Sequence, residues 1–112
     1  MASERYSYLM TEAALSDAEE AIDYISNELC NPEAASSFAD ELEEKLEEIC
    51  RTPKGGRLVQ NPYLRRSDVR RFLVKNYIAY YIIDEDKIIV LRIVYSKRNQ
   101  DTVLRDLGSK TE

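Results

Sequence analysis

The chain contains no histidine, and of its 112 residues only two are cysteine, three glycine and three proline. The missing histidine removes a common metal ligand and the side chain that most readily moves a proton near neutral pH. With Cys30 and Cys50 as the only thiols, a zinc centre has too few soft ligands. Low glycine and proline, beside 44% hydrophobic and 33% charged residues, exclude collagen-like, low-complexity and disordered classes. No apolar run approaches the ~20 residues of a membrane span, and Met1 to Leu9 lack the charged-then-apolar layout of a signal peptide. The expectation is a soluble cytoplasmic protein without membrane, metal, cofactor or small-molecule substrate. Its length allows one compact core and not two, so residues 1–112 are read as a single domain.

What is present is charge, unevenly placed. The formal net charge is −5, which taken as a total argues against a protein held to nucleic acid by phosphate contacts. Residues 1–50 carry fourteen Asp/Glu against two Lys/Arg, a net of −12, whereas residues 51–112 carry fourteen Lys/Arg against seven Asp/Glu, a net of +7. One domain with an anionic and a cationic side is implied. Glu41, Glu43, Glu44, Glu47 and Glu48 read as the solvated outside of a helix. The basic residues are the more informative set, because they alternate with strand-forming residues.

The periodicity places both sets on elements. Arg5 to Leu9 reads as a short strand. From Thr11 the spacing becomes helical: Ala14, Ala18, Ala21, Ile22, Ile25 and Leu29 recur at three and four, with Thr11 or Ser16 as cap. Asn31-Pro32 stops this helix and Pro32 opens the next, whose stripe is Ala35, Phe38, Ala39, Leu42, Leu46 and Ile49. Thr52-Pro53 and Gly55-Gly56 end it. The two cysteines are then separated by about 18 helical residues, or about 27 Å, against the ~7 Å a disulfide spans. Both are expected to be reduced and buried or half-buried.

Val69 to Val74, Tyr77 to Ile83 and Ile88 to Tyr95 read as three antiparallel strands, joined at Lys75-Asn76, where Asn tolerates positive φ, and at Asp84-Glu85-Asp86. Gly55 to Ser67 reads as irregular, and Asp101 to Leu107 as a short helix behind Asp101 as cap. The fold class is α+β in the order β-α-α-β-β-β, an antiparallel sheet with a two-helix hairpin packed on one face. Strict alternation puts Tyr77, Ala79, Tyr81 and Ile83 on one face and Ile78, Tyr80 and Ile82 on the other. It likewise separates Ile89, Leu91, Ile93 and Tyr95 from Ile88, Val90, Arg92 and Val94. Both faces are apolar and the hairpin covers one, so the second is expected to be a partner surface.

The residues resemble the RelE/ParE superfamily of toxins from bacterial type II toxin–antitoxin systems. The resemblance rests on Thr11-Glu12-Ala13 with Asp17, Ile22-Asp23-Tyr24-Ile25, Asn31-Pro32-Glu33-Ala34-Ala35 with Phe38, and Pro53 with Gly55-Gly56-Arg57. It continues through Tyr77-Ile78-Ala79-Tyr80-Tyr81 and the run from Leu91 to Asn99. It implies a growth-inhibiting toxin of a plasmid-stabilisation module and a cognate antitoxin partner. RelE-like members cleave mRNA on the ribosome, and ParE-like members inhibit DNA gyrase without chemistry of their own.

Cleaving RNA needs groups that take and give a proton and cations for the phosphate. RelE-like enzymes lacking histidine use Arg, Lys and a tail tyrosine. Ile78 stands here at the expected arginine, and Val103 or Leu104 at the expected tyrosine. The reading is therefore ParE-like, with gyrase as target. Its alternative is a ribosome-dependent endonuclease using Arg71, Arg92, Tyr95 and Arg98, and a further alternative is an inactive member kept for antitoxin binding.

The candidate target- or antitoxin-binding residues are Arg70, Arg71, Tyr80, Arg92, Tyr95, Lys97 and Arg98. Lys97-Arg98 is cationic and loop-borne, where sites concentrate. Arg92 fits an ion pair with Asp84 or Glu85 as well as a functional role, and Tyr77, Tyr80 and Tyr81 fit packing better than base stacking. Gly55-Gly56 lacks the strand-before, helix-after context of a phosphate loop and reads as a turn.

Overall fold

The computed structural model describes residues 6–109. The elements are β1 (Ser7–Met10), α1 (Glu12–Asp23), a π-helical turn (Tyr24–Glu28), α2 (Pro32–Arg51), a 3₁₀ turn (Pro53–Gly55), β2 (Arg57–Leu58), β3 (Arg70–Val74), β4 (Tyr77–Asp84), β5 (Lys87–Tyr95) and α3 (Gln100–Ser109). The expected α+β order is borne out, the short closing helix is present as α3, and β2 is added. Arg5 lies outside the described residues.

Local chemistry sets the helix starts. Thr11 Oγ1 accepts from the Ala14 amide at 3.1 Å and donates to the Leu91 carbonyl at 3.0 Å, so one hydroxyl caps α1 and ties it to β5. Asn31 Oδ1 accepts from the Ala34 amide at 3.1 Å, with Pro32 at the first helical position. Asn99, not Asp101, caps α3: its Oδ1 accepts from the Asp101 amide at 3.0 Å. Cys30, which closes the first helical segment, has φ 51° and is exposed rather than buried, while Cys50 is half-buried; both thiols are free.

The sheet order is β1-β5-β4-β3-β2. β2 to β5 run antiparallel, whereas β1 pairs with β5 in parallel, Ser7 opposite Lys87 and Met10 opposite Val90. The sheet is therefore mixed. Both turns use a non-glycine residue at positive φ, Lys75 at 55° and Glu85 at 58°, so Lys75 rather than Asn76 takes the left-handed position. Glu41 on α2 steadies the first turn, its carboxylate 3.3 Å from Lys75 Nζ. That glutamate is a tether and not only a solvating charge.

The strict alternation of β5 fails at one point. Tyr80 pairs with Arg92 but Tyr81 with Val90, which leaves Leu91 as an extra residue in a β-bulge. Ile88, Val90 and Ile93 consequently share the hairpin face, while Leu91 and Val94 face the other way. The hairpin face packs Ala14, Ala18, Ala21, Phe38, Leu42, Leu46 and Ile49 against Phe72, Val74, Ala79 and Tyr81. The second face is not bare. Val103 and Leu104 of α3 with Leu64 of the β2–β3 loop bury Val69, Ile78, Tyr80 and Val94. This corrects the expected open apolar sheet face.

Candidate functional site

Two surfaces emerge, on opposite faces of the sheet. The first is cationic. Arg57, Arg71, Tyr80 and Arg92 form one row across four strands, each opposite the next in register. The row is not uniform. Arg92 turns to Asp17 of α1, donating from Nε at 2.6 Å and from Nη2 at 3.1 Å, and Asp17 also accepts from the Ile93 amide at 2.9 Å. Asp17 thus covers the edge of β5 beyond the end of β1, and its carboxylate raises the Arg92 guanidinium above its ordinary pKa. The partner of Arg92 is Asp17, not Asp84 or Glu85, and Arg92 is consumed by structure.

Tyr80 is buried and donates its hydroxyl to Gln100 Oε1 at 2.6 Å. Burial raises its pKa, with the Arg71 charge pulling the other way, so the phenol stays protonated at neutral pH. Gln100 Nε2 in turn donates to the carbonyls of Tyr95 at 3.1 Å and Arg98 at 2.8 Å. This relay fixes the turn that carries the exposed Lys97 and Arg98. Arg70 is outside the row: it stands opposite Tyr81 on the hairpin face, and its Nη1 donates to the carbonyls of Gly56 at 2.8 Å and Lys54 at 3.3 Å.

The second surface is an apolar groove of about 730 Å³, lined by Tyr24, Ile25, Leu29, Phe38, Tyr77 and Tyr95 among others. The π-helical turn builds one wall: the Leu29 amide bonds the Tyr24 carbonyl at 3.1 Å, five residues back, which turns these side chains outward. Tyr24 is 51% exposed, Leu29 55% and Tyr95 43%. Tyr95 packs edge-on to Tyr77 at 5.6 Å, and Tyr77 edge-on to Phe38 at 5.1 Å. Tyr95 therefore belongs to the groove and lies on the opposite sheet face from Arg71 and Tyr80.

The structure brings Arg71, Tyr80 and the backbone of the Lys97-Arg98 turn together, and sets Arg70, Arg92 and Tyr95 apart from them. The endonuclease cluster of Arg71, Arg92, Tyr95 and Arg98 is not assembled in one place. Ile78, Val103 and Leu104 are buried in the second core, so packing rather than chemistry occupies those positions. Sequence reading missed Arg57, which enters the cationic row only through a two-residue strand, and Gln100, whose neighbours come from four positions along the chain. Among the described residues no three His, Cys, Asp or Glu side chains gather as a metal site requires. No described helix is long and apolar enough to cross a membrane.

A mixed sheet with a helical hairpin on one face, a short helix on the other, and separate cationic and apolar surfaces defines a small α+β protein of RelE/ParE architecture. The chain belongs to the ParE toxin family: the model for "ParE toxin of type II toxin-antitoxin system, parDE" matches residues 8–100. Among solved structures, a chain of the chromosomal ParDE TA system from P. aeruginosa is similar, with a TM-score of 0.67 at 21% identity, covering 84% of this chain and 99% of that one. At that identity the likeness shows the shared fold. No curated protein matches the chain.

Proposed function

We propose that this ParE-family toxin, working as one domain over residues 1–112, arrests growth by binding DNA gyrase and is neutralised by a cognate antitoxin. The observation that carries this reading is the pairing of the family match with the dispersal of the endonuclease residues: Arg92 is held by Asp17 and Tyr95 sits in the groove. Binding requires surfaces rather than a proton-transfer dyad, and the chain offers two. Arg71, Lys97 and Arg98 form the target-facing set, with Tyr80, Arg70 and Arg92 as the residues that hold its framework. Tyr95 and the groove receive an apolar segment of the antitoxin, whose acidic residues meet the basic half of the chain. A cytoplasmic location follows from a cytoplasmic target.

Two assays test the proposal. Purified protein is expected to inhibit gyrase supercoiling and to leave mRNA intact on translating ribosomes. Cleavage of mRNA without inhibition of gyrase would reverse the assignment. Expression of the chain alone is expected to stop DNA replication before translation, and co-expression of an acidic partner encoded beside it to restore growth.

A further inference from the structure

The arginines of this chain divide into those with a partner and those without. Arg66 is held by Asp68, Arg70 by backbone carbonyls, Arg92 by Asp17, and Arg105 lies 4.4 Å over the Tyr63 ring. Arg57 and Arg71 make no ion pair or side-chain hydrogen bond with any described residue, yet they stand directly opposite each other across β2 and β3. Directly opposed residues of an antiparallel pair project from the same face about 5 Å apart, where like charges repel. This arrangement costs stability and nothing in the fold requires it.

It is nonetheless rigidly built. The Tyr81 hydroxyl donates to the Pro53 carbonyl at 2.7 Å and accepts from the Gly56 amide at 3.0 Å, while Arg70 binds the Gly56 carbonyl at 2.8 Å. The N–H and the C=O of Gly56, the residue before Arg57, are thereby both fixed. A Cβ at Gly56 would lie 2.7 Å from Tyr81 Cε1 and 2.8 Å from the Arg71 carbonyl, so only glycine admits this approach. A two-residue strand does not persist by itself, and this lock is what holds Arg57 beside Arg71.

The pair opens into a cleft of about 370 Å³ that Tyr80, Asn61 and Gln100 also line. Gln60 adds a neutral amide to the lining, and three other polar side chains are already engaged. Tyr80 donates to Gln100, Gln100 to the turn after β5, and Asn61 Nδ2 to the Asp101 carboxylate at 2.9 Å. The two guanidiniums are left as charged donors with no acceptor. One fork satisfies a carboxylate, whereas two forks carrying two positive charges match the several oxygens of a phosphate group.

We infer that Arg57 and Arg71 form a phosphate-binding site, taking the phosphate of a nucleotide either free or within a nucleic-acid strand. The site goes beyond the gyrase reading and shares Arg71 with it, but it is read by direct binding, so its failure is distinguishable from a failure to inhibit gyrase. Nitrogen-15 spectra of the full chain, read at the arginine Nε–Hε groups, test it with inorganic phosphate, a nucleoside monophosphate and a short single-stranded oligonucleotide. Saturable shifts at Arg57 and Arg71 are expected, with binding weakened at least tenfold in Arg57→Gln and in Arg71→Gln and retained in Arg105→Gln. Equal binding of the monophosphate and the oligonucleotide assigns a free nucleotide. Tighter binding of the oligonucleotide, with log K falling against log salt at a slope near about −0.7, assigns a single strand phosphate. Backbone amide spectra establish that each variant folds, and the exposed Arg57 carries the test should Arg71→Gln unfold. Absence of saturable shifts with all three probes, or equal shifts with chloride, would overturn the site. So would shifts with a Glu-rich peptide and none with phosphate, which would give the arginines to a carboxylate-bearing protein partner.

Discussion

The two faces of the sheet are built to different standards. On the hairpin face, α1 and α2 bury a continuous apolar layer against β3, β4 and β5, with Phe38, Leu46, Val74, Tyr81, Ile88 and Val90 almost wholly removed from solvent. On the other face, α3 and the β2–β3 loop cover a smaller core, and beside it lie a two-residue strand, arginines without an ion pair among the described residues and a turn braced by Gln100. The first face stabilises the protein. The second buries less and leaves charged groups exposed beside its core.

This contrast can be broken by mutation. Phe38→Ala on the hairpin face is expected to cost about 3–5 kcal/mol, because its ring is fully buried and packed on Tyr77. Leu104→Ala on the other face should fall near the low end of the ~2–5 kcal/mol range for such truncations. Urea unfolding of the two variants measures the difference, and equal losses would abolish the distinction. Gly56→Ala is expected to cost about 2–3 kcal/mol by overpacking against Tyr81 and the Arg71 carbonyl. It should also lose phosphate binding, since Arg57 is released.

Asp17→Asn should cost about 2 kcal/mol, as the partly buried Arg92 loses its charged partner. A double-mutant cycle with Arg92→Met, read by thermal unfolding, isolates the coupling. Tyr80→Phe removes one bond to Gln100 and should cost about 1 kcal/mol. In that variant the Lys97-Arg98 turn is expected to exchange its amides faster.

The smallest effect is with pH. Burial raises the pKa of both Tyr80 and Tyr81 above the ordinary 10.0. The stability each contributes is complete below about pH 10 and is lost as pH rises through the folded-state value. Urea midpoints taken across the alkaline range should therefore decline there and stay unaffected by these phenols near neutrality.

How far the sequence could be read follows the same division. The hairpin face was legible because it is periodic: Ala14, Ala18, Ala21 and then Ala35, Phe38, Leu42, Leu46 recur at helical spacing, and each is buried. The β4 alternation held residue by residue. What escaped is non-local. The bulge at Leu91 depends on the pairing of β5 with β4, and β2 depends on its pairing with β3 and on Tyr81 and Arg70 gripping Gly56 from residues well along the chain. The Asp17–Arg92 pair joins residues 75 apart, which no spacing rule signals. Arg71 and Tyr80 are both candidates in the sequence reading, and they stand opposite each other in the sheet. Their neighbours Arg57 and Gln100 are not, since neither lies in a pattern that repeats.

The parallel pairing of β1 with β5 bears on how the chain reaches its final form. Thr11 bonds to Leu91 across 80 positions, and β5 is the neighbour of both β1 and β4. A chain interrupted before Lys87 leaves β1 with nothing to pair with and β4 with an open edge. Closing contacts of such long range is slow, so the hairpin helices can form early while the sheet waits for the last quarter of the sequence. A fragment that stops before Lys87 therefore lacks β5, the strand that joins β1 to the rest of the sheet and carries both Arg92 and Tyr95.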